Sequence, residues 1–491
     1  MHFFIWDMSL KRYHSILLLL FITFVGFGQA EILDKRLSDA AQSKIFISSN
    51  LSFSVFDVET KREVGGYRPL KVLTPASSFK LLTTFTALKV FGAQYRFKTL
   101  IGYTGSIREG GILDGDLVIK GSGDPTLGSD KVKGSMNLKA LLNHIQKEVI
   151  AAGINCIKGD VVIDESIFDS YPVAPSWQWN DLGNYYASGA WGLNVNENQY
   201  VVYFKNRGII GHRPSVHSVS PKVPKLNLSN EIVVDSSHTG DQAYIFGGPY
   251  NYDKRIVGSI PQGTGLFSIK GSLPDPPYFF GYQLKVQLEK ANIQADGITK
   301  IYQKKRSKLV VMDTILSPPL SRIIKKANVE SNNLYTESLL KLMGLEKIGQ
   351  GSGQNGLAVI IRQLRKYGVK TKSQIFQDGS GLSARTQVSS NSIARFLASI
   401  ADELGIETCT DYLPKGGYSG TVRGMFGGSS AKGNVWLKSG SMSAVQSYSG
   451  YIKAKSGRWL SFSLIANGFT EDHSVIRSKL ESLIIQIYKE G

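Results

Sequence analysis

Strand-like runs stand at the two ends of this chain, and that arrangement constrains its fold more than any other feature. Residues 51–60, LSFSVFDVET, alternate as a β-strand does, and 64–67 and 70–74 continue the pattern through glycine turns. Near the other terminus, 435–440 (VWLKSG), 447–454 and 459–468 read as antiparallel strands, and 473–488 closes the chain as an amphipathic helix. Helical periods over 321–330, 334–344 and 356–368 follow Pro318 and Pro319. Strands at both ends with helices between imply one discontinuous α/β domain, residues 31–94 and 311–491. Residues 95–310 change texture to short β-type runs such as 115–120 (GDLVIK), 159–164 (GDVVID) and 282–288 (YQLKVQL), parted by Gly, Pro, Asp and Asn. They form an inserted, mostly β region, with a nested subdomain near 214–290.

The first thirty residues stand apart. Lys11 and Arg12 precede an apolar run that ends at Gly28 and Ala30, the pattern of a secretory signal peptide over 1–30, so the exported chain begins near Glu31. A membrane anchor is the competing reading, but the run falls short of the roughly 20 apolar residues a spanning helix needs. The expected product is soluble, in a periplasm or an extracellular cell-wall space. The full chain's formal charge of +18 could serve nucleic acid, but an exported chain without a zinc-finger, RRM or basic-helix pattern excludes that class. Peripheral contact with anionic envelope surfaces is the alternative. The sharpest basic cluster, Lys304-Lys305-Arg306 with Lys308, reads as a solvated loop. Two cysteines, Cys156 and Cys409, exclude a disulfide scaffold, and the seven histidines show no ligand spacing, so neither a metal nor another cofactor is expected.

Residues 74–82, TPASSFKLL, carry the chemistry. Thr74 reads as a helix N-cap and Pro75 as the first helical position, which sets Ser77 in the first turn, where N–H groups lack partners and the helix dipole is positive. Lys80, three residues on, shares a face with Ser77, whereas Ser78 points elsewhere. A lysine acts as base only when neutral, which requires desolvation or a second cation. Ser-x-x-Lys alone is a weak signal: 338–341 and 429–432 also match it, as solvent-facing polar residues. Its force comes from the order in which Ser331-Asn332-Asn333 opens a helix and Lys438-Ser439-Gly440, followed by Ser441, sits on a C-terminal strand. Ser48 and Ser389 also begin a Ser-x-Asn, but neither opens a helix at the proper place between the outer motifs, and His238-Thr239-Gly240 lies in the insertion.

With these motifs the chain resembles the type-4, low-molecular-mass class C penicillin-binding proteins, the D-Ala-D-Ala carboxypeptidase/endopeptidase family. The resemblance runs over nearly all of the sequence after the leader: 75–80 (PASSFK), 120–127 (KGSGDPTL), 159–169, 192–198 (GLNVNEN), 378–383 (DGSGLS), Leu413-Pro414 with 420–426, and 437–442 (LKSGSM). Asn332 and Ser439 replace the commoner Asp and Thr without removing a hydroxyl, amide or ammonium that the chemistry needs. The long separation of Ser77 from Ser331 fits a family with large extra domains there and does not fit a compact β-lactamase. Segments such as 121–127 and 192–198 read as structural glycine-rich turns.

The resemblance implies a penicillin-binding-protein/β-lactamase-like transpeptidase domain, an antiparallel sheet flanked by helices. It implies Ser77 as nucleophile, Lys80 as its base, Ser331 as a proton relay toward the leaving amine and Asn333 on the substrate amide. Lys438 and Ser439, with Gly440, bind the terminal carboxylate, and the N–H groups of Ser77 and Ser441 form an oxyanion hole. Substrates would be peptidoglycan stem peptides and crosslinks, with β-lactams as covalent inhibitors. A β-lactamase or esterase on the same residues and a silent wall-binding scaffold are the rivals. Sequence does not decide the oligomeric state.

Overall fold

Residues 50–57 and 459–467 pair antiparallel over their whole length, from Asn50 opposite Asn467 to Asp57 opposite Leu460, so the two ends of the chain do build one sheet. The structure is a computed structural model that describes residues 46, 49–301 and 308–491. The leader, the start near Glu31, Ser48 and the Lys304-Lys305-Arg306 cluster lie outside the described residues. The chain divides into two compact units: the residues up to Leu81 with 364–375 and 387–491, and residues 82–363 with 376–386.

In the first unit the sheet has five antiparallel strands in the order Glu63–Tyr67, Asn50–Asp57, Trp459–Asn467, Val445–Lys453 and Val435–Met442. One face carries Leu51, Phe53, Val55, Leu460, Phe462 and Leu464, which pack with Leu480, Ile484 and Ile487 of the terminal helix His473–Glu490. Each such side chain withdrawn from water stabilises the unit by about 1.5–3 kcal/mol. The other face is also buried, although serine dominates it. Ser52 bonds Ser390 Oγ at 2.7 Å, Ser461 donates to the Ala394 carbonyl at 2.8 Å, and Tyr451 donates to the Leu397 carbonyl at 2.8 Å. Small hydroxyls let the helix Ser390–Leu404 approach the sheet while these buried hydroxyls keep partners.

The second unit is built on a mixed sheet in the order Ile298–Ile301, Val161–Asp164, Leu117–Lys120, Lys98–Tyr103 and Val310–Leu316. Its parallel pairs, 117–120 with 161–164 and 161–164 with 298–301, need crossover connections. The helices Leu138–Ala151 and Pro276–Glu289 lie in those connections. The expected strand at 282–288 is therefore wrong. Asp275 caps the helix by accepting from the Tyr278 N–H at 3.0 Å, and two prolines occupy its first positions. Phe280, Leu284 and Leu288, four residues apart, are the side chains it buries completely. The alternation of Tyr282, Leu284, Val286 and Leu288 imitated a strand because two of its members also lie on that helical stripe.

Candidate active site

Thr74 does not cap the helix. Its N–H donates to Asn467 Oδ1 at 2.7 Å and its carbonyl accepts from Asn467 Nδ2 at 3.0 Å, which ties the segment to the sheet. Ala76 then takes a left-handed φ of 45°, so no regular helix can run through from Pro75. Residues Ala76–Phe79 instead form a 3-10 turn that leads into the α-helix Lys80–Phe91. In a 3-10 turn side chains at i and i+3 eclipse. Lys80 Nζ consequently lies 2.9 Å from Ser77 Oγ and donates to it, with Ser77 half-buried and Lys80 wholly buried.

Ser78 faces the other way, its Oγ 2.8 Å from Ser447 Oγ, while Ser447 Oγ donates to the Pro75 carbonyl at 2.5 Å. These bonds dock the turn onto the strand Val435–Met442 and its neighbour. At Gly440 a Cβ would come within 2.6 Å of the Pro75 carbonyl oxygen and 2.8 Å of the Ser77 nitrogen, so only glycine lets the strand pass this close to the turn. Lys438 is fully buried and donates to the Ser439 carbonyl at 2.7 Å. Burial pushes its pKa well below the ordinary lysine value, and the charge of Lys80 pushes it the same way. Ser439 Oγ pairs with Thr421 Oγ1 at 2.6 Å, and Ser441 is exposed on the same strand. Ser77, Lys80, Lys438, Ser439, Gly440 and Ser441 thus belong to one unit, on one turn and one edge strand.

The remaining pair, Ser331 and Asn333, belongs to the second unit. Ser331 does not cap the following helix. It ends the preceding one, Leu320–Glu330, in a left-handed conformation with φ 61°, and Asn332 is the N-cap of Asn333–Ile348, accepting from the Tyr335 N–H at 3.3 Å. Asn333 Nδ2 donates to the Tyr186 carbonyl at 2.8 Å. Ser331 and Asn333 line a cavity of about 260 Å³ with Lys131, Tyr186, Glu197 and Lys270. Glu197 was missed by sequence reasoning, being passed over as part of a turn in 192–198. The only local signal was its run of asparagines, residues that tolerate left-handed backbone. Burial, then the Glu197 charge, raise the Tyr335 pKa far above its usual range, so that hydroxyl remains a donor.

The competing motifs are occupied otherwise. Lys341, expected to face solvent, is buried and pairs with Asp169 at 2.8 Å and the Tyr171 carbonyl at 2.7 Å. Ser389 does open a helix, but its Oγ is engaged by the Ser392 N–H and hydroxyl. Both cysteines are free, Cys409 buried and Cys156 partly exposed. Among the described residues no cluster of three His, Cys, Asp or Glu side chains is placed to hold a metal, and no helix is long and apolar enough to cross a membrane.

Comparison with known proteins completes the description. The family model described as D-Ala-D-Ala carboxypeptidase 3 (S13) matches residues 33–485. A D-alanyl-D-alanine carboxypeptidase of Actinomadura sp. (strain R39) is 26% identical over 429 residues, covering 84% of this chain and 77% of the relative. The D-alanyl-D-alanine carboxypeptidase DacB of Haemophilus influenzae is 25% identical over 474 residues, 94% of this chain and 95% of its own. The crystal structure of penicillin binding protein 4 (dacB) from Haemophilus influenzae matches with a TM-score of 0.81 at 23% identity, covering 92% of this chain and 99% of that one. At that identity the likeness shows the fold, an antiparallel sheet flanked by helices with a large, mostly β insertion.

Proposed function

Since the chain belongs to the D-Ala-D-Ala carboxypeptidase 3 (S13) family and is a serine-type D-Ala-D-Ala carboxypeptidase, we propose that it cuts peptidoglycan stem peptides and crosslinks through an acyl-enzyme on Ser77. The observation that carries this reading is the 2.9 Å contact between Lys80 Nζ and Ser77 Oγ in a site that also buries Lys438. Burial, and then the charge of Lys80, hold the Lys438 pKa well below the ordinary lysine value. In its neutral form Lys80 is a base within reach of the Ser77 hydroxyl.

In the proposed reaction Ser77 Oγ attacks the carbonyl between two D-centred residues while Lys80 takes its proton. The tetrahedral oxyanion turns toward the N–H groups of Ser77 and Ser441, donors of a kind typically worth about 2.7–4 kcal/mol each. Collapse breaks the C–N bond, and the amine leaves with a proton relayed through Ser331. Water then takes the acyl group from Ser77, releasing a carboxylate and restoring the hydroxyl. Lys438 and Ser439 hold the terminal carboxylate of the substrate, and Asn333 its amide. A β-lactam would acylate the same serine, but its leaving amine stays tethered.

The leader-like pattern of residues 1–30 supports action outside the cytoplasmic membrane, in a periplasm or wall space. The test is mass spectrometry of the protein after incubation with a fluorescent penicillin, beside Ser77→Ala. One adduct per molecule on the Ser77 peptide, absent from the variant, supports the acyl-enzyme. No adduct with intact drug and folded protein refutes it, and no adduct with the drug consumed marks a β-lactamase instead.

A further inference from the structure

Residues Asn196, Glu197 and Asn198 are three consecutive non-glycine residues in the left-handed region, with φ of 52°, 53° and 55°. One such residue is unusual, and a run of three persists only where the surroundings over-determine it. Here they do. Asn198 Oδ1 accepts from the Val195 N–H at 3.0 Å, and Asn198 Nδ2 donates to Asn194 Oδ1 at 2.8 Å and the Gly189 carbonyl at 3.1 Å. Asn194 Nδ2 in turn donates to the Gly123 carbonyl at 3.0 Å. Glycine would have relieved the strain, so the side chains matter at these positions.

The turn delivers a carboxylate. Glu197 is 2% exposed, yet it accepts from Tyr335 Oη at 2.6 Å, Lys131 Nζ at 2.6 Å, Ser129 Oγ at 3.1 Å and Asn332 Nδ2 at 3.5 Å. One of these donors, Asn332, lies within the motif, and another, Tyr335, lies two residues past it. Asn332 follows Ser331 and caps the helix, and Tyr335 supplies the N–H that Asn332 caps. Ser331 is itself left-handed, held between two helices.

We propose that Glu197 is a positioning residue for Ser331 and Asn333, its carboxylate gripping Asn332 and Tyr335 so that the intervening turn keeps one conformation. The inference rests on the reading in which Ser331 takes part in the reaction. Lys131 balances the buried charge, and Asn332 must be an amide because an aspartate there would set two carboxylates against each other. A structural staple between loops would need only the ion pair with Lys131. The grip on both Asn332 and Tyr335 goes further than a staple requires.

The experiment measures the rate of acylation by a fluorescent penicillin for the full chain and for Glu197→Gln, Asn332→Asp, the double variant and Ser331→Ala. Circular dichroism establishes the temperature at which all five are folded. Glu197→Gln and Asn332→Asp should each slow acylation by about tenfold, and the double variant should recover to within about threefold of the wild type, because residues in contact couple and distant ones add. Additive losses in the double variant, with Ser331→Ala slow, overturn the role of Glu197 and leave Ser331 standing. Wild-type acylation by Ser331→Ala overturns the role of Ser331, and with it this inference.

Discussion

Replacing Gly440 by alanine tests how Ser77 is held. The new Cβ would lie 2.4 Å from Ser447 Oγ, 2.6 Å from the Pro75 carbonyl oxygen and 2.8 Å from the Ser77 nitrogen. Ser447 Oγ cannot simply swing away, because it is tied between Ser78 Oγ and the Pro75 carbonyl. The other two atoms are backbone. Bringing such contacts to an ordinary separation needs a shift of about 0.6–1 Å between the strand and the turn. Overpacking of this kind costs about 1–3 kcal/mol. The same displacement moves Lys438 and Ser439 away from Ser77, and a misplacement near 1 Å can cost about 10²-fold in rate. Gly440→Ala should therefore lower the melting temperature modestly and slow penicillin acylation by about two orders of magnitude. Adding Ser447→Ala removes only the side-chain collision, so it should restore part of the stability and little of the rate. Wild-type acylation in a Gly440→Ala protein of unchanged melting temperature would refute the argument that this glycine sets the spacing.

Two further outcomes follow from burial. Lys438→Met should abolish acylation while raising the melting temperature at neutral pH, since a buried amine that burial makes costly to charge gives way to a side chain that suits a dry site. The folded pKa of Lys438 is depressed, so the unfolded chain binds the extra proton. The penalty is full below the folded value and fades as pH rises toward the ordinary 10.5, and the stabilisation by methionine must shrink over that range. A variant less stable than the wild type at pH 7 would contradict this. For the thiols, burial pushes Cys409 up to about 12, whereas Cys156 is partly exposed. Maleimide should label one cysteine per folded molecule, on the peptide of Cys156, and a second only after denaturation; equal labelling of both in the folded protein would count against it.

What the sequence discloses about this enzyme is what its short-range spacing encodes. Ser77 and Lys80 are three residues apart, and both a first α-turn and a 3-10 turn bring such a pair onto one face, so the pairing survives an error about the cap. That error was beyond local repair, because the residue that ties the Thr74 backbone to the sheet, Asn467, lies at the far end of the chain. Likewise the strand Asn50–Asp57 is legible from the alternation over 51–57, although 58–60 form a turn, whereas the reason for serine on its second face is a helix that begins at Ser390. The stretch 282–288 failed for a different reason, since a short apolar run satisfies both periods until the cap at Asp275 is counted.

Glu197 marks the limit of that approach. Its donors come from residues 129, 131, 332 and 335, and nothing in the seven letters GLNVNEN says that a carboxylate there will reach them. Strain offers a better pointer than motif in such cases. Ala76 beside Ser77, Ser331 in the second motif and the run 196–198 are all left-handed without being glycine. A fold tolerates that cost, about 1–2 kcal/mol for each residue, only where packing and hydrogen bonds enforce it. Left-handed non-glycine residues elsewhere in the chain, such as Lys61 and Asn292, sit in turns between elements. In the run 196–198 the left-handed residues coincide with dense buried bonding, and there they present the Glu197 carboxylate to its donors.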